Sequence, residues 1–213
     1  MTKNFVKACL VVFATACTLQ SRAEGSISLD MRGGAIVPRD DKEWSVGGSF
    51  DIGLIFWGTP NVGLWIGGGG QGWSVKEESV ALDSTSWFET DGRVALAPLG
   101  ASLILRGYLD QNLSLQFEGG LRYAIVDSDA RVEVWEPYSP GYMVVESIAL
   151  DIDNTVLALA ALRLNYESDF WSLGIGGGYQ WDLVKPDQKL GGQKIAEADF
   201  GAGIFFMAFT MHF

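Results

Sequence analysis

The chain has 213 residues, 48% of them hydrophobic and only 19% charged, with 15 Lys and Arg against 26 Asp and Glu. That length fits one domain, the acid excess argues against nucleic acid or another polyanion as partner, and no window holds the ~18 unbroken apolar residues of a spanning helix. Its 27 glycines sit inside apolar, alternating segments, which suits a curved sheet better than a linker.

Residues 1–23 read as a secretory signal peptide. Lys3 and Lys7 form a positive start, Ala8 to Leu19 an apolar stretch too short to span, and Ser21-Arg22-Ala23 a small-x-small cleavage site. Cleavage after Ala23 leaves 12 basic against 26 acidic residues, a net −14, on the domain 24–213. Cys9 and Cys17 both fall in the leader, so the exported chain relies on no disulfide. A lipid anchor on Cys17 is the rival, but Ala14-Thr15-Ala16 lacks the large aliphatic residue expected three positions before the cysteine.

Eight segments then alternate with a period of two, the signature of strands with two unlike faces. In the first, Ile27, Leu29 and Met31 oppose Ser28, Asp30 and Arg32. The second sets Phe50, Ile52, Leu54 and Phe56 against Ser49 and Asp51, and Gly58-Thr59-Pro60-Asn61 turns the chain. The third opens with Val62, Leu64 and Ile66, then runs into Gly67 to Gly70, where a bulge is expected and the faces of Trp65 and Trp73 stay open. Residues 76–92 read as a long polar connection carrying Trp87 and Phe88.

Leu99, Ala101, Leu103 and Leu105 mark the fourth strand; Leu113, Leu115, Phe117, Leu121 and Tyr123, alternating with Gln116, Glu118 and Arg122, mark the fifth. A second long connection, 127–153, carries Trp135, Tyr138 and Tyr142, and its segments Arg131–Trp135 and Met143–Leu150 could extend the hairpin. The sixth strand places Leu162 and Leu164 opposite Arg163 and Asn165, and Glu167-Ser168-Asp169 reads as a turn. The seventh sets Trp171, Leu173, Ile175, Tyr179 and Trp181 against Ser172, Gly174, Gln180 and Asp182, and Lys185 to Asp199 reads as a polar loop. The eighth is the closing row Phe205, Met207, Phe209, Met211 and Phe213, with Thr210 and His212 on its thin polar side.

Three features favour an antiparallel up-and-down transmembrane β-barrel over a soluble sandwich. Short turns alternate with mostly long loops. The five lysines after the leader (Lys42, Lys76, Lys185, Lys189 and Lys194) all fall in the long connections, whereas a soluble sheet spends lysine on its wet strand faces. Aromatic residues gather at strand ends: Trp44, Phe56, Trp57, Tyr108, Tyr166, Phe170, Trp171, Tyr179, Trp181 and Phe213.

With the apolar rows on lipid, the lumen receives Asp30, Arg32, Asp51, Arg106, Glu118, Arg122, Arg163 and Asp182. Four charges of each sign in so narrow an interior are expected to pair into a plug; small interior residues such as Gly63, Gly120, Gly174, Gly176 and Gly178 would leave room for a gated path instead. His212 is the single histidine and stands at the short-turn end, so no catalytic residues, cofactor or metal are assigned. The acidic pairs Asp127/Asp129 and Asp151/Asp153 lack an EF-type spacing and read as solvated faces.

The leader, the eight strands, the alternating turn lengths and the closing aromatic row together resemble the small OmpA/OmpX-type outer-membrane barrels of the porin-like outer-membrane β-barrel superfamily. The resemblance implies an eight-stranded all-β barrel in the cell outer membrane of a Gram-negative-type bacterium, exported through a cleaved signal peptide. It implies outer-membrane lipid as its surroundings and the barrel-assembly machinery as a partner during insertion, with Phe205, Met207, Phe209, Met211 and Phe213 as the assembly signal. Unlike the two-domain members, the chain stops at its eighth strand. Two functions follow as expectations: a structural, surface-interaction protein of the cell envelope with an extracellular ligand on loops 76–92 and 127–153, or a narrow porin-like channel for small solutes.

Overall fold

The computed structural model of the protein describes residues 26–39, 44–76, 79–81, 86–138 and 141–213. The leader, both cysteines, Lys42 and the side chains of Phe88 and Tyr138 lie outside what it describes. Eight strands form the barrel: β1 (Ile27–Pro38), β2 (Gly47–Thr59), β3 (Val62–Ser74), β6 (Arg93–Asp110), β7 (Leu113–Ser128), β10 (Thr155–Glu167), β11 (Trp171–Val184) and β14 (Ala202–His212). Between them come β4 (Ser79–Ala81), β5 (Trp87–Asp91), β8 (Arg131–Tyr138), β9 (Gly141–Ile152), β12 (Asp187–Leu190) and β13 (Gln193–Glu197).

The barrel closes in the order β1-β14-β11-β10-β7-β6-β3-β2. β1 pairs with β14 from Ser28↔His212 to Pro38↔Ala202, so the first and last strands leave no free edge. Lipid offers no partner to a backbone N–H or C=O, and a closed ladder supplies one to each. The apolar rows face outward: Leu103 is 50% exposed, Phe117 49%, Phe205 62% and Met207 69%. So continuous an apolar belt suits hydrocarbon rather than water. On β11, Trp171 and Trp181 stand ten residues apart, which at ~3.4 Å per residue and ~40° of tilt spans about 26 Å, the height of such a belt. Tyr166 packs on Trp171 at 6.0 Å and Tyr179 on Trp181 at 6.3 Å, two aromatic girdles.

Four expectations change. Trp44 and Trp57 leave the girdle, being 3% and 4% exposed, because Trp57 Nε1 donates to Ser28 Oγ at 3.0 Å and Trp44 packs on Phe200 at 5.8 Å. The glycine run of β3 makes no bulge. Its register with β2 is unbroken from Gly48↔Gly72 to Trp57↔Gly63, so Trp65 and Trp73 both point into the barrel. Against β6 the pairing lapses only at Gly69 and Gly70, opposite a segment containing Pro98, which has no N–H to give. Rings take up space beside interior glycines: the indole of Trp65 fills the place beside Gly53, and the ring of Phe206 the place beside Gly176.

The fourth change is the largest. The long connections form a second sheet of six strands, in the order β13-β12-β9-β8-β5-β4. β5 joins β8 from Trp87↔Trp135 to Asp91↔Arg131, and β12 joins β9 from Gln188↔Ile152 to Leu190↔Leu150. One face of this sheet holds Ile148, Leu150 and Ile152; Ile152 is buried in the core at the top of the barrel, and Leu150 packs against it. The polar loop expected at Lys185 to Asp199 is the hairpin β12–β13, turned by Gly191 and Gly192 at φ 58° and 84°, the pair of left-handed residues a two-residue hairpin turn requires. Lys189 Nζ sits 2.6 Å from Asp153, a hydrogen bond that holds the ammonium above its ordinary lysine pKa.

Candidate functional site

The interior is layered along the barrel axis. At the long-connection end, Phe200 lies between Trp44 and Trp73, each ring 5.8 Å away. With Ile36, Val94, Leu96 and Leu157 they form an apolar core like that of a soluble protein. Below it, Gln71 and Gln180 exchange amide hydrogen bonds of 3.0 and 3.1 Å, and Gln180 Nε2 also donates to the Phe200 carbonyl.

The middle layer is ionic. Asp30, fully buried, accepts from Arg32 Nε at 2.6 Å, Arg163 Nη1 at 2.7 Å and Thr210 Oγ1 at 2.7 Å. Arg32 Nη1 reaches Glu118 at 2.6 Å. Arg122 Nη1 donates to both oxygens of Asp51, at 3.0 and 2.9 Å, and Arg163 Nη2 donates to Gln116 Oε1 at 2.5 Å. Arg122 Nη2 also lies 4.0 Å from Glu118, so six of the eight charges read into the lumen form one network.

The other two stand apart. Asp182 is bonded nearer the long-connection end, accepting from the Phe200 N–H at 2.7 Å and from Thr155 Oγ1 at 3.3 Å. Arg106 lies toward the short turns, its guanidinium 3.9 Å over the ring of Trp57 and its Nη1 3.8 Å from Glu167. Glu167 was expected in a turn; its parity on β10, shared with Arg163 and Asn165, is the signal that puts it inside.

The network packs on an aromatic layer. The guanidinium groups of Arg32 and Arg122 lie 5.2 and 5.1 Å from the Trp65 ring, so cation–π contact accompanies the hydrogen bonds they make. Trp65, Trp57, Ile55 and Ile104 form a second buried cluster there. A void of about 10 Å³ beside Arg32 and Arg122 has room for about one water. Past the aromatic layer a cleft of about 300 Å³ opens at the short-turn mouth, lined by Trp57, Arg106, Glu167 and His212 among others.

His212 stands between a serine and an acid at that mouth. Its Nδ1 is 2.9 Å from Ser28 Oγ and its Nε2 is 3.5 Å from Glu167 Oε2. The order serine, histidine, acid resembles a nucleophilic relay, but Ser28 is fully buried and also accepts from Trp57, so no substrate carbonyl can reach it. Ser28 and His212 tie β1 to β14 at the closing seam, with Glu167 of β10 beside them. The acidic pairs are partly engaged as well: Asp129 accepts from the Arg93 N–H at 2.6 Å, and Asp153 pairs with Lys189.

No family model matches the chain, and no curated protein does. Solved structures do. The outer membrane protein OprG from Pseudomonas aeruginosa superposes with a TM-score of 0.57 at 10% identity, over 90% of this chain and 98% of that one. The chain has the fold of a small outer-membrane β-barrel. A major outer membrane protein from Thermus thermophilus superposes with a TM-score of 0.53 at 13% identity, over 89% of this chain and 100% of the other. In an outer-membrane barrel the short turns face the periplasm and the long connections face outward. The ionic network is thus the middle layer of the barrel, the 300 Å³ cleft opens at its short-turn end, and the six-stranded sheet stands at its long-connection end.

Proposed function

We propose that the protein is a closed outer-membrane barrel that anchors a rigid extracellular sheet, serving a structural and surface-interaction role rather than passing solutes. The observation that carries this is the filled lumen: among the described residues an apolar cap, an amide pair, an ion-pair network and an aromatic layer succeed one another, and the void beside Arg32 and Arg122 holds about one water. Each lumen charge in the network meets an opposite charge within 3.0 Å, and opening a path would strand buried ions at a cost of several kcal/mol each.

The extracellular side supports the same reading. The long connections pair edge to edge into a sheet that carries Trp87, Trp135 and Tyr142. Export through the cleaved leader and recognition of the outward row Phe205, Met207, Phe209, Met211 and Phe213 by the assembly machinery complete the proposal. Cells displaying the protein are compared with cells displaying a variant in which a short turn replaces the β8–β9 hairpin, at matched surface level. Adherence to immobilised matrix proteins and to other cells is expected to fall in the variant. Equal adherence contradicts the surface role.

A further inference from the structure

Resting on the surface-interaction reading, we propose that the outer face of the extracellular sheet is a docking site for a protein segment that presents lysine or arginine side chains. The face is fixed by register. Val132 and Ile148 are cross-strand partners on the side that, through Leu150 and Ile152, packs on the barrel core. Strand alternation therefore turns Trp135 and Glu133 of β8, and Trp87 and Glu89 of β5, to the opposite side. The irregularity between Val134 and Trp135 leaves Val145 of β9 as the extra residue, so β8 keeps its parity.

Two rows on that face are organised for a cation. In the first, Trp87 and Trp135 are direct cross-strand partners with ring centroids 6.1 Å apart and planes within 7°. Tyr142, 56% exposed, meets Trp87 edge-on at 4.6 Å. In the second, one step along the same strands, Glu89 is directly opposite Glu133. Like charges in that relation destabilise a sheet. Arg131, itself half exposed, relieves Glu133 from 3.5 Å, while Glu89 makes no ion pair among the described residues.

A folded sheet gains nothing by holding two carboxylates opposite each other beside two indoles. A lysine or arginine laid across the rows resolves both: its stem covers the rings, and its charge sits between the π-faces and the carboxylates. The net charge of the whole chain, −11, draws the same partner in and repels polyanions. A neutral glycan could stack on the indoles and donate hydroxyls to the carboxylates, but it would leave their like charge uncompensated.

The test uses the full chain in nanodiscs of zwitterionic lipid and a fluorescently labelled hexalysine peptide, read by anisotropy at low salt. Binding is expected, and Glu89→Gln/Glu133→Gln should weaken it about tenfold, as should Trp87→Leu. Asp110→Asn/Asp169→Asn, which removes the same charge at the periplasmic turns, should stay within about twofold, as distant charges are screened. Heat-dependent gel migration verifies that every variant keeps its barrel. No binding, or equal losses in the two charge-matched pairs, overturns the proposal. So does chitotetraose binding that needs Trp87 but not the glutamates. If adherence needs the β8–β9 hairpin while hexalysine fails to bind, this inference alone falls; if adherence ignores the hairpin, the surface role falls whatever the peptide does.

Discussion

Asp30 shows what the lumen asks of a single residue. It is fully buried and accepts from two arginines and a threonine. Replacing it with alanine leaves Arg163 with Gln116 as its remaining side-chain partner. Asp30→Ala is expected to lower the unfolding free energy by ~3–5 kcal/mol, as removal of one member of a buried ion pair does. Urea unfolding in liposomes, followed by gel migration, measures it, and a loss under about 1 kcal/mol would mean that the network holds nothing together. That these charges point inward was legible from strand parity alone. Their partners were not, because Arg163 and Asp30 are 133 positions apart and the stagger of the strands decides who meets whom across the barrel. The same limit hid Glu167, which a turn-like tripeptide disguised, and Trp57, whose indole N–H finds an acceptor indoors.

At the scale of the element, alternation was the strong signal, and all eight barrel strands could be read from it. Leu103 on β6 faces out at 50% exposure, so Leu103→Arg should cost ~2–4 kcal/mol in the same unfolding assay; an unchanged midpoint would put that side chain on the wrong face. Along β14 and at Phe213 just past its end, Phe205, Met207, Met211 and Phe213 are exposed on the lipid side, and Phe209 is partly covered. If this row is read during assembly, Phe213→Ala should reduce outer-membrane levels more than Ser172→Ala, an interior change at a hydroxyl without a hydrogen-bond partner. Immunoblots of membrane fractions decide, and equal levels reduce Phe213 to a lipid contact. The six outer strands were harder to read. They are short, they carry lysine and glutamate, and β5–β8 and β9–β12 pair between separate connections that are distant in sequence. Gly191-Gly192 was a hairpin signal present in the sequence, masked by the polar residues around it.

For the molecule as a whole, closing the ring and filling it are separate achievements. The ring follows from the lipid, which leaves a backbone no other partner. The filling follows from the sizes of facing residues: glycines on one strand admit indole and phenyl rings from the next, so the space the glycines promised is occupied. Sequence composition could count the glycines but not their neighbours. The central claim is therefore about the lumen, and single-channel recording in planar bilayers tests it most directly. Purified protein with its barrel intact is predicted to leave the baseline silent across the usual voltage range. Reproducible unitary openings from that protein would contradict the account.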